Sequence, residues 1–232
     1  MANLWPWDVD TRHELIEFSA AFDEKCAQGD ALAALQWLWN KLESRTAWGR
    51  EYACNFRPVR AMNPDPITDE NLGKLWGLNN CAALYLNDTE VGDDGLSGLT
   101  NAPLLSSLDL SNTRVTDLGL LKLAQLPMLQ SLTLDGCELT GTNLAKLSVA
   151  TNLFELDLND TKLAADGLKQ LLLLTNLQNV GLERTEITID GLEHFIGATN
   201  LRKLWLPDLP PSDLLQKLRS SLPDCAVYVG GK

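Results

Sequence analysis

The sequence has few of the residues with which enzymes perform chemistry. It contains only two histidines, His13 and His194, in 232 residues, and no HExxH, GxSxG, GxGxxG or phosphate-loop motif. Its five cysteines are widely spaced and never form a CxxC pair, which favours free thiols in a reducing compartment over disulfides or a zinc site. We therefore expect no catalytic residues, no bound metal and no cofactor.

Long apolar runs and positive charges are also scarce. No apolar stretch approaches the ~18 residues of a membrane helix, and the first residues lack the basic and apolar segments of a secretory signal. The formal net charge is −12, and residues 63–232 carry twelve basic but twenty-two acidic side chains. Such a surface repels phosphate backbones and attracts basic proteins. These features predict a cytoplasmic protein that binds neither nucleic acid nor membrane.

The dominant feature of the sequence is a repeat of 24 residues. Four apolar columns keep this step across six units, and the column that opens each L-x-L pair reads Leu84, Leu108, Leu132, Leu156, Val180 and Leu204. The L-x-L stretch alternates like a short strand with one buried face, and the residues after it, such as Leu120, Leu123 and Leu126, follow helical spacing. Residues at the expected helix starts, including Asp93 and Asp117, predict N-caps.

This alternation of strand and helix predicts the architecture. One unit cannot bury its own apolar edge, but stacked units share a continuous core. The sequence therefore predicts an α/β solenoid, with a curved parallel sheet on its concave side and helices on its convex side. We assign residues 63–232 to this solenoid, including a C-terminal cap in which Val227-Tyr228-Val229 forms a closing strand. We assign residues 1–62 to a tryptophan-rich helical N-terminal cap.

Residues 10–28 and 30–44 have the pattern of a helical hairpin within that N-terminal cap. Trp39 lies on the apolar stripe of the second helix, which indicates that it packs against the first repeat. Trp37 points to nearly the opposite side, because residues two apart on a helix do not share a face. Two covers for Trp37 stay open, the Trp5-Pro6-Trp7 segment or a partner.

The full pattern, LxxLxLxxT-x-(V/L/I)-T-D-x-G-L, resembles leucine-rich repeats over residues 64–229. It resembles in particular the bacterial class with Thr or Cys in the turn after the strand, because that column reads Thr89, Thr113, Cys137, Thr161 and Thr185. The resemblance implies a protein-binding scaffold, as in inhibitors, ligase substrate receptors and bacterial effectors.

The predicted concave face supplies the candidate binding residues, because its side chains are free of core packing. It carries acidic residues with an aromatic residue at each end, namely Tyr85, Asp109, Asp135, Glu155, Asp157, Asp160, Glu183 and Trp205. Arg184 and Lys203 are the local counter-charges. The alternative is that the acids only keep this face soluble. Calcium fits less well, because Asp109 and Asp157 are two strands apart, on the order of 9–10 Å.

These residues predict a non-enzymatic protein that recognises a basic protein partner through its acidic face. By resemblance to leucine-rich-repeat inhibitors of basic nucleases, we expect a cytosolic inhibitor or immunity protein that neutralises a toxin. The alternative is an adaptor or secreted bacterial effector, in which the solenoid recognises the target and the N-terminal hairpin docks a second protein. The sequence specifies no oligomeric state.

Overall fold

The structure is a computed structural model that describes residues 52–55, 67–72, 81–163 and 165–230 of the chain. The hairpin expected over residues 10–44, and the tryptophans from Trp5 to Trp48, lie outside these ranges and stay predictions. Within the described ranges, no helix is both long enough and apolar enough to cross a membrane.

A single parallel sheet runs through the described residues. Its strands lie side by side in chain order. They are β1 (Tyr52–Asn55), β2 (Cys81–Tyr85), β3 (Ser107–Asp109), β4 (Ser131–Thr133), β5 (Glu155–Asp157), β6 (Asn179–Gly181), β7 (Lys203–Leu206) and β8 (Ala226–Val229). From β2 to β7, paired residues differ by 24 in number, as Leu108 and Leu132 do. The repeat of the sequence is therefore the step from one strand to the next, and the predicted solenoid is confirmed.

The sheet extends beyond the six L-x-L pairs at both ends. β1 lies inside the segment that the sequence assigns to the helical N-terminal cap, and it pairs with β2 as far as Asn55 and Tyr85. At the other end, β8 pairs with β7 and supplies the expected closing strand. The sheet therefore begins about 30 residues before the first L-x-L pair.

Short helical segments return the chain from one strand to the next. Those in the described residues are α1 (Asp69–Leu72), η1 (Gly95–Asn101), α2 (Leu120–Leu123), η2 (Leu144–Val149), α3 (Ala165–Leu171), η3 (Ile189–Phe195) and α4 (Asp213–Ser221), where η denotes a 3-10 helix. The 3-10 form suits apolar residues three apart, such as Leu144 and Leu147, because its three residues per turn place them on one face. α4 begins with an N-cap bond, from Leu215 N to Ser212 Oγ at 3.1 Å.

One continuous hydrophobic core joins the strands to the helical segments. Leu84, Leu132 and Leu156 of the strands are fully buried, and so are Leu120 and Leu144 of the helical segments. Full burial of a leucine side chain contributes about 1.5–3 kcal/mol. The residues on either side of each strand leucine in β3, β4 and β5 are only half-buried. One face of the sheet is therefore covered by the helical segments, and the other face is open.

The Thr/Cys column fastens the turn after each strand. Thr113, Thr161 and Thr185 each donate a hydroxyl hydrogen bond to the carbonyl three residues earlier, at 2.7 Å. Each hydroxyl needs this carbonyl acceptor, because a buried polar group without a hydrogen bond costs about 1–3 kcal/mol. Cys137 donates instead to Leu110 O at 3.1 Å, and burial raises the pKa of its thiol. The column is structural, and a buried thiol of raised pKa is a poor nucleophile.

Three aspartates join neighbouring repeats. Asp93 accepts hydrogen bonds from Thr116 N and Oγ1, at 2.8 and 2.6 Å. Asp117 accepts bonds from Thr140 N and Oγ1, at 2.9 and 2.7 Å. The predicted N-cap role is wrong for Asp93 and Asp117, because the helices that follow receive no side-chain cap and these carboxylates bond to the next repeat instead. The same bond recurs one repeat earlier, and we call the three residues the aspartate clasps: Asp69, Asp93 and Asp117.

The later repeats are joined at the other end of the helical segment. The side-chain amides of Asn152, Asn176 and Asn200 each donate to a backbone carbonyl of the preceding repeat, at 2.6–3.0 Å. These three residues, which we call the asparagine rungs, also recur at a step of 24. The repeat position that holds the aspartate clasps is occupied by Gly141 and Ala165 in this part of the chain. An asparagine rung therefore joins these repeats in place of a clasp.

Candidate functional site

The open face of the sheet carries two rows of side chains that point away from the core. Strand register aligns the first row as Ala83, Ser107, Ser131, Glu155, Asn179, Lys203 and Ala226. It aligns the second row as Tyr85, Asp109, Thr133, Asp157, Gly181, Trp205 and Tyr228. Neighbours in a row are about 4.8 Å apart, so that several of them can contact one bound molecule.

Five of the predicted binding residues come together on this face. They stand on β3 and β5 or just after β4 and β6, which are consecutive strands of the sheet, and we call them the acidic strip: Asp109, Asp135, Glu155, Asp157 and Glu183. Asp157 is central, because the negative charges of the other four all raise its pKa. Tyr85 lies beside Asp109 at one end of the strip, in register with it across β2 and β3.

Three carboxylates of the strip are held by hydrogen bonds. Asp109 Oδ1 accepts from Ser111 N and Oγ, at 3.0 and 2.6 Å. Asp135 accepts from Asn159 N and Nδ2, at 3.1 and 3.0 Å, although burial still raises its pKa. Glu155 accepts from the serine hydroxyl beside it on β4, at 2.9 Å. These bonds orient the carboxylates but bring no positive charge to them.

Asp157 differs from its neighbours because no described residue either donates a hydrogen bond to its carboxylate or forms an ion pair with it, whereas Glu183 lies near Arg184. The side chain is half-buried. Burial and the four surrounding carboxylates raise its pKa from 3.8 to about 6. Its Oδ1 lies directly over Gly181, where a Cβ atom would collide with it. A negative charge at this point is therefore only partly stabilised by the protein itself.

Asp160 does not add to the charge of the strip. Arg184 donates to it twice, from Nε at 2.7 Å and from the terminal nitrogen at 2.6 Å, and this lowers the pKa of Asp160. The pair is exposed to solvent. Arg184 also lies 3.7 Å from Glu183, at the margin of the strip. Of the eight predicted binding residues, Asp160 is thus the one whose charge is already matched.

An aromatic pair lies at the far end of the second row. The ring of Trp205 stacks on that of Tyr228, with centroids 5.5 Å apart and planes 16° apart. Lys203 Nζ lies 5.9 Å from the Trp205 ring centroid, within cation–π range. Sequence reasoning placed Trp205 on this face but took Tyr228 as part of a structural cap. The alternation Val227-Tyr228-Val229 was the available signal, because it sends Tyr228 to the same face as Trp205.

The described residues contain no comparable centre elsewhere. No three His, Cys, Asp or Glu side chains among them are placed to hold a metal ion. A cavity of about 300 Å³ opens on the helical side, lined mainly by apolar residues such as Leu171, Leu174 and Leu201. Its lining contains one ionisable group, His194, and no carboxylate.

Sequence and geometry agree on one repeating unit. It runs from a buried strand leucine through a turn fastened by Thr or Cys and a short helical segment, and it reaches the same point 24 residues later on the neighbouring strand. The chain is a leucine-rich-repeat solenoid. Five acidic side chains come together on the open face of this solenoid, and the opposite face of the sheet is occupied by core packing and repeat-to-repeat bonds.

Two solved structures of bacterial proteins are similar to this solenoid. A leucine-rich-repeat protein of Leptospira interrogans has 26% sequence identity and a TM-score of 0.45, over 64% of this chain and 36% of its own. An internalin of Listeria monocytogenes has 19% identity and a TM-score of 0.46, over 66% of this chain and 48% of its own. This solenoid therefore spans less than half the length of either protein. No protein-family model matches the sequence, and no curated protein matches it.

Proposed function

We propose that this solenoid is a non-enzymatic protein-binding module whose open face binds a basic segment of a protein partner. The observation that carries the proposal is the unbalanced charge of the acidic strip. Among the described residues, its five carboxylates meet only Arg184 at one margin, and Arg184 is already bound twice by Asp160. Asp157, at the centre, has neither a described hydrogen-bond donor nor a counter-charge.

A basic partner would relieve this imbalance. Partly buried carboxylates of like charge oppose one another, and a cation placed among them removes that cost. Their field also steers a positive partner toward the face and accelerates association. Tyr85 at one end and the aromatic pair at the other provide apolar contact area, and such residues commonly carry much of the binding energy of an interface.

The concrete role that we favour is a cytosolic inhibitor or immunity protein that neutralises a basic toxin. An inhibitor needs a single face that covers its target, and the open face supplies one. The second candidate is an adaptor or secreted effector, for which the open face recognises the target and the segment of residues 1–62 binds another protein. The two candidates predict different bound proteins. An inhibitor should retain a single basic protein, whereas an adaptor or effector should also retain a second protein through residues 1–62.

Charge reversal on the open face tests the proposal. Asp109→Lys combined with Asp157→Lys should abolish the capture of basic proteins from a lysate at low salt, because it converts the centre of the strip to positive charge. The matched control is Asp190→Lys with Glu193→Lys, which makes the same charge change on exposed residues of the helical side. Captured proteins are identified by mass spectrometry, and thermal melting verifies that each variant is folded.

The control pair should retain the partner, and its association should slow as salt rises. If the open-face variant captures the same proteins as the wild type, while the helical-side control loses them, the binding surface is the helical side. In that case the acids of the strip serve only solubility.

A further inference from the structure

The last strand of the sheet has an open edge. β8 pairs with β7 on one side and ends the strand order of the described residues. Ala226 N and Gly230 N donate to carbonyls of the β7 segment, at 2.8 and 3.2 Å. Because backbone groups alternate in direction along a strand, the N–H and C=O groups of Val227 and Val229 point away from β7. No further strand of the described residues lies on that side to bond with them.

This edge lacks the features that usually protect an exposed strand. Natural sheets block their edges with proline, charged side chains or bulges. Residues 226–229 read Ala-Val-Tyr-Val and pair with β7 without a shift of register. The edge of β8 can therefore accept another strand.

The core is also incomplete at β8. Val227 and Val229 face the core in register with Leu204 and Leu206 of β7. The two leucines are fully buried, whereas the two valines are only half-buried. A strand added to this edge would bond the open backbone groups and cover the valines at the same time.

This end of the solenoid carries little net charge. Residues 201–230 contain four basic and three acidic side chains, a net charge of +1, although the whole chain carries −12. Two copies of the chain therefore meet less electrostatic repulsion through this end than through the acidic strip.

We infer that β8 pairs with β8 of a second copy, antiparallel about a two-fold axis at Tyr228. In this register, Val227 lies opposite Val229 of the other copy, and the two exchange backbone hydrogen bonds on each side of the axis. The paired valines cover one another on the core side. The two Tyr228 rings, which are exposed in a single copy, meet on the open face beside the stack with Trp205.

A second copy is the favoured occupant because the strand complements itself. The same residues that offer open backbone groups also supply the valines and the tyrosine that match them, and a two-fold contact of this kind closes without leaving a further edge. The axis is perpendicular to the sheet, so both open faces stay on the same side. The dimer therefore presents two acidic strips on one continuous face.

Sedimentation velocity of the full chain tests the pairing. One strand pair is a small interface, so we expect a monomer–dimer equilibrium with a dissociation constant on the order of 10 µM. Tyr228→Lys places two positive charges against each other at the axis and should raise this constant by about tenfold or more. Tyr85→Lys makes the same change in the same row on β2, which is paired on both sides, and should leave the constant unchanged.

Disulfide trapping tests the register. Opposed residues that exchange no backbone bonds have Cα atoms about 4.5 Å apart, which suits a disulfide. In a background carrying Cys26→Ser and Cys225→Ser, Tyr228→Cys should therefore form a covalent dimer under mild oxidation. Ala226→Cys is the control and should form none, because the pairing sets the two copies of this residue about 14 Å apart.

The other occupants of the edge give different results. A wild-type chain that stays monomeric at about 200 µM overturns the inference, and so does a dimer that Tyr228→Lys leaves intact. Species that keep growing with concentration also overturn it, because they indicate head-to-tail contact of β8 with β1. Hydrogen exchange at the amides of Val227 and Val229 should be slow in the dimer and fast after dilution. Slow exchange in a monomer would mean that another segment of the same chain covers the edge, and the inference would be wrong.

Discussion

Replacing Asp157 with asparagine should stabilise the protein at neutral pH. In the folded chain this carboxylate is half-buried among four others and no described residue donates a hydrogen bond to it. Its pKa is raised from 3.8 to about 6, so that it is mostly ionised at pH 7.5 against the preference of its surroundings. Asparagine has the same shape but carries no charge.

The size of the effect follows from the pKa. The shift of about two pKa units corresponds to about 3 kcal/mol, at ~1.4 kcal/mol per unit. The carboxyl group is partly exposed, and solvent screening reduces the expected gain in the free energy of unfolding to about 1–2 kcal/mol. This gain is measured from urea denaturation followed by far-ultraviolet circular dichroism.

The gain should depend on pH. Folded Asp157 holds a proton more tightly than the unfolded chain does, so its contribution to wild-type stability is fully present below about pH 4 and is lost as pH rises through about 6. The free energy of unfolding of Asp157→Asn should therefore exceed that of the wild type at pH 7.5 and equal it near pH 4. Asp109→Asn is the control, and it should give no such gain because Ser111 donates twice to that carboxylate. A variant no more stable than the wild type at pH 7.5 would refute the reasoning.

Three further experiments address the core, the clasps and binding. Leu132→Ala should lower the free energy of unfolding by about 2–5 kcal/mol and Thr133→Ala by under ~1 kcal/mol, and equal losses would contradict the strand register. Asp117→Ala removes a partly exposed join between repeats and should cost about 0.5–1.5 kcal/mol in the same assay, whereas Asp166→Ala, in an exposed ion pair, should cost under ~0.5 kcal/mol. Calorimetry with a basic partner should show affinity falling below about pH 6 as Asp157 takes up a proton; pH-independent binding would exclude Asp157 from the interface.

The parallel sheet and the residues that lie on its open face could be predicted, because both follow from the 24-residue spacing of the repeat. A step of 24 places Leu108 beside Leu132 and every residue between the strand leucines on the opposite face. The same spacing predicts which residues form the acidic strip. It could not reveal that Asp157 lacks a donor, since that depends on where the side chains of neighbouring strands point.

The missed features have physical reasons. Asp93 precedes a helix and so has the pattern of an N-cap, but the nearest free donor in space belongs to Thr116 in the next repeat. Asp160 was grouped with the acids because of its place in the repeat. Its turn is left-handed, with φ of 56°, and its carboxylate pairs with Arg184, 24 residues on. Reading that column down the repeats would have shown the pair, because like positions in adjacent repeats are neighbours.

The clasps and rungs divide the solenoid by the place at which these side chains join adjacent repeats. In the early repeats the joint lies where the chain enters the helical segment, at residues such as Asp93, and in the later repeats it lies where the chain leaves that segment, at residues such as Asn176. The Asp117 and Asn152 joints share one boundary, between the repeats of β3 and β4. Each of these side chains bonds across one boundary between adjacent repeats, and the join moves from one end of the helical segments to the other along the solenoid.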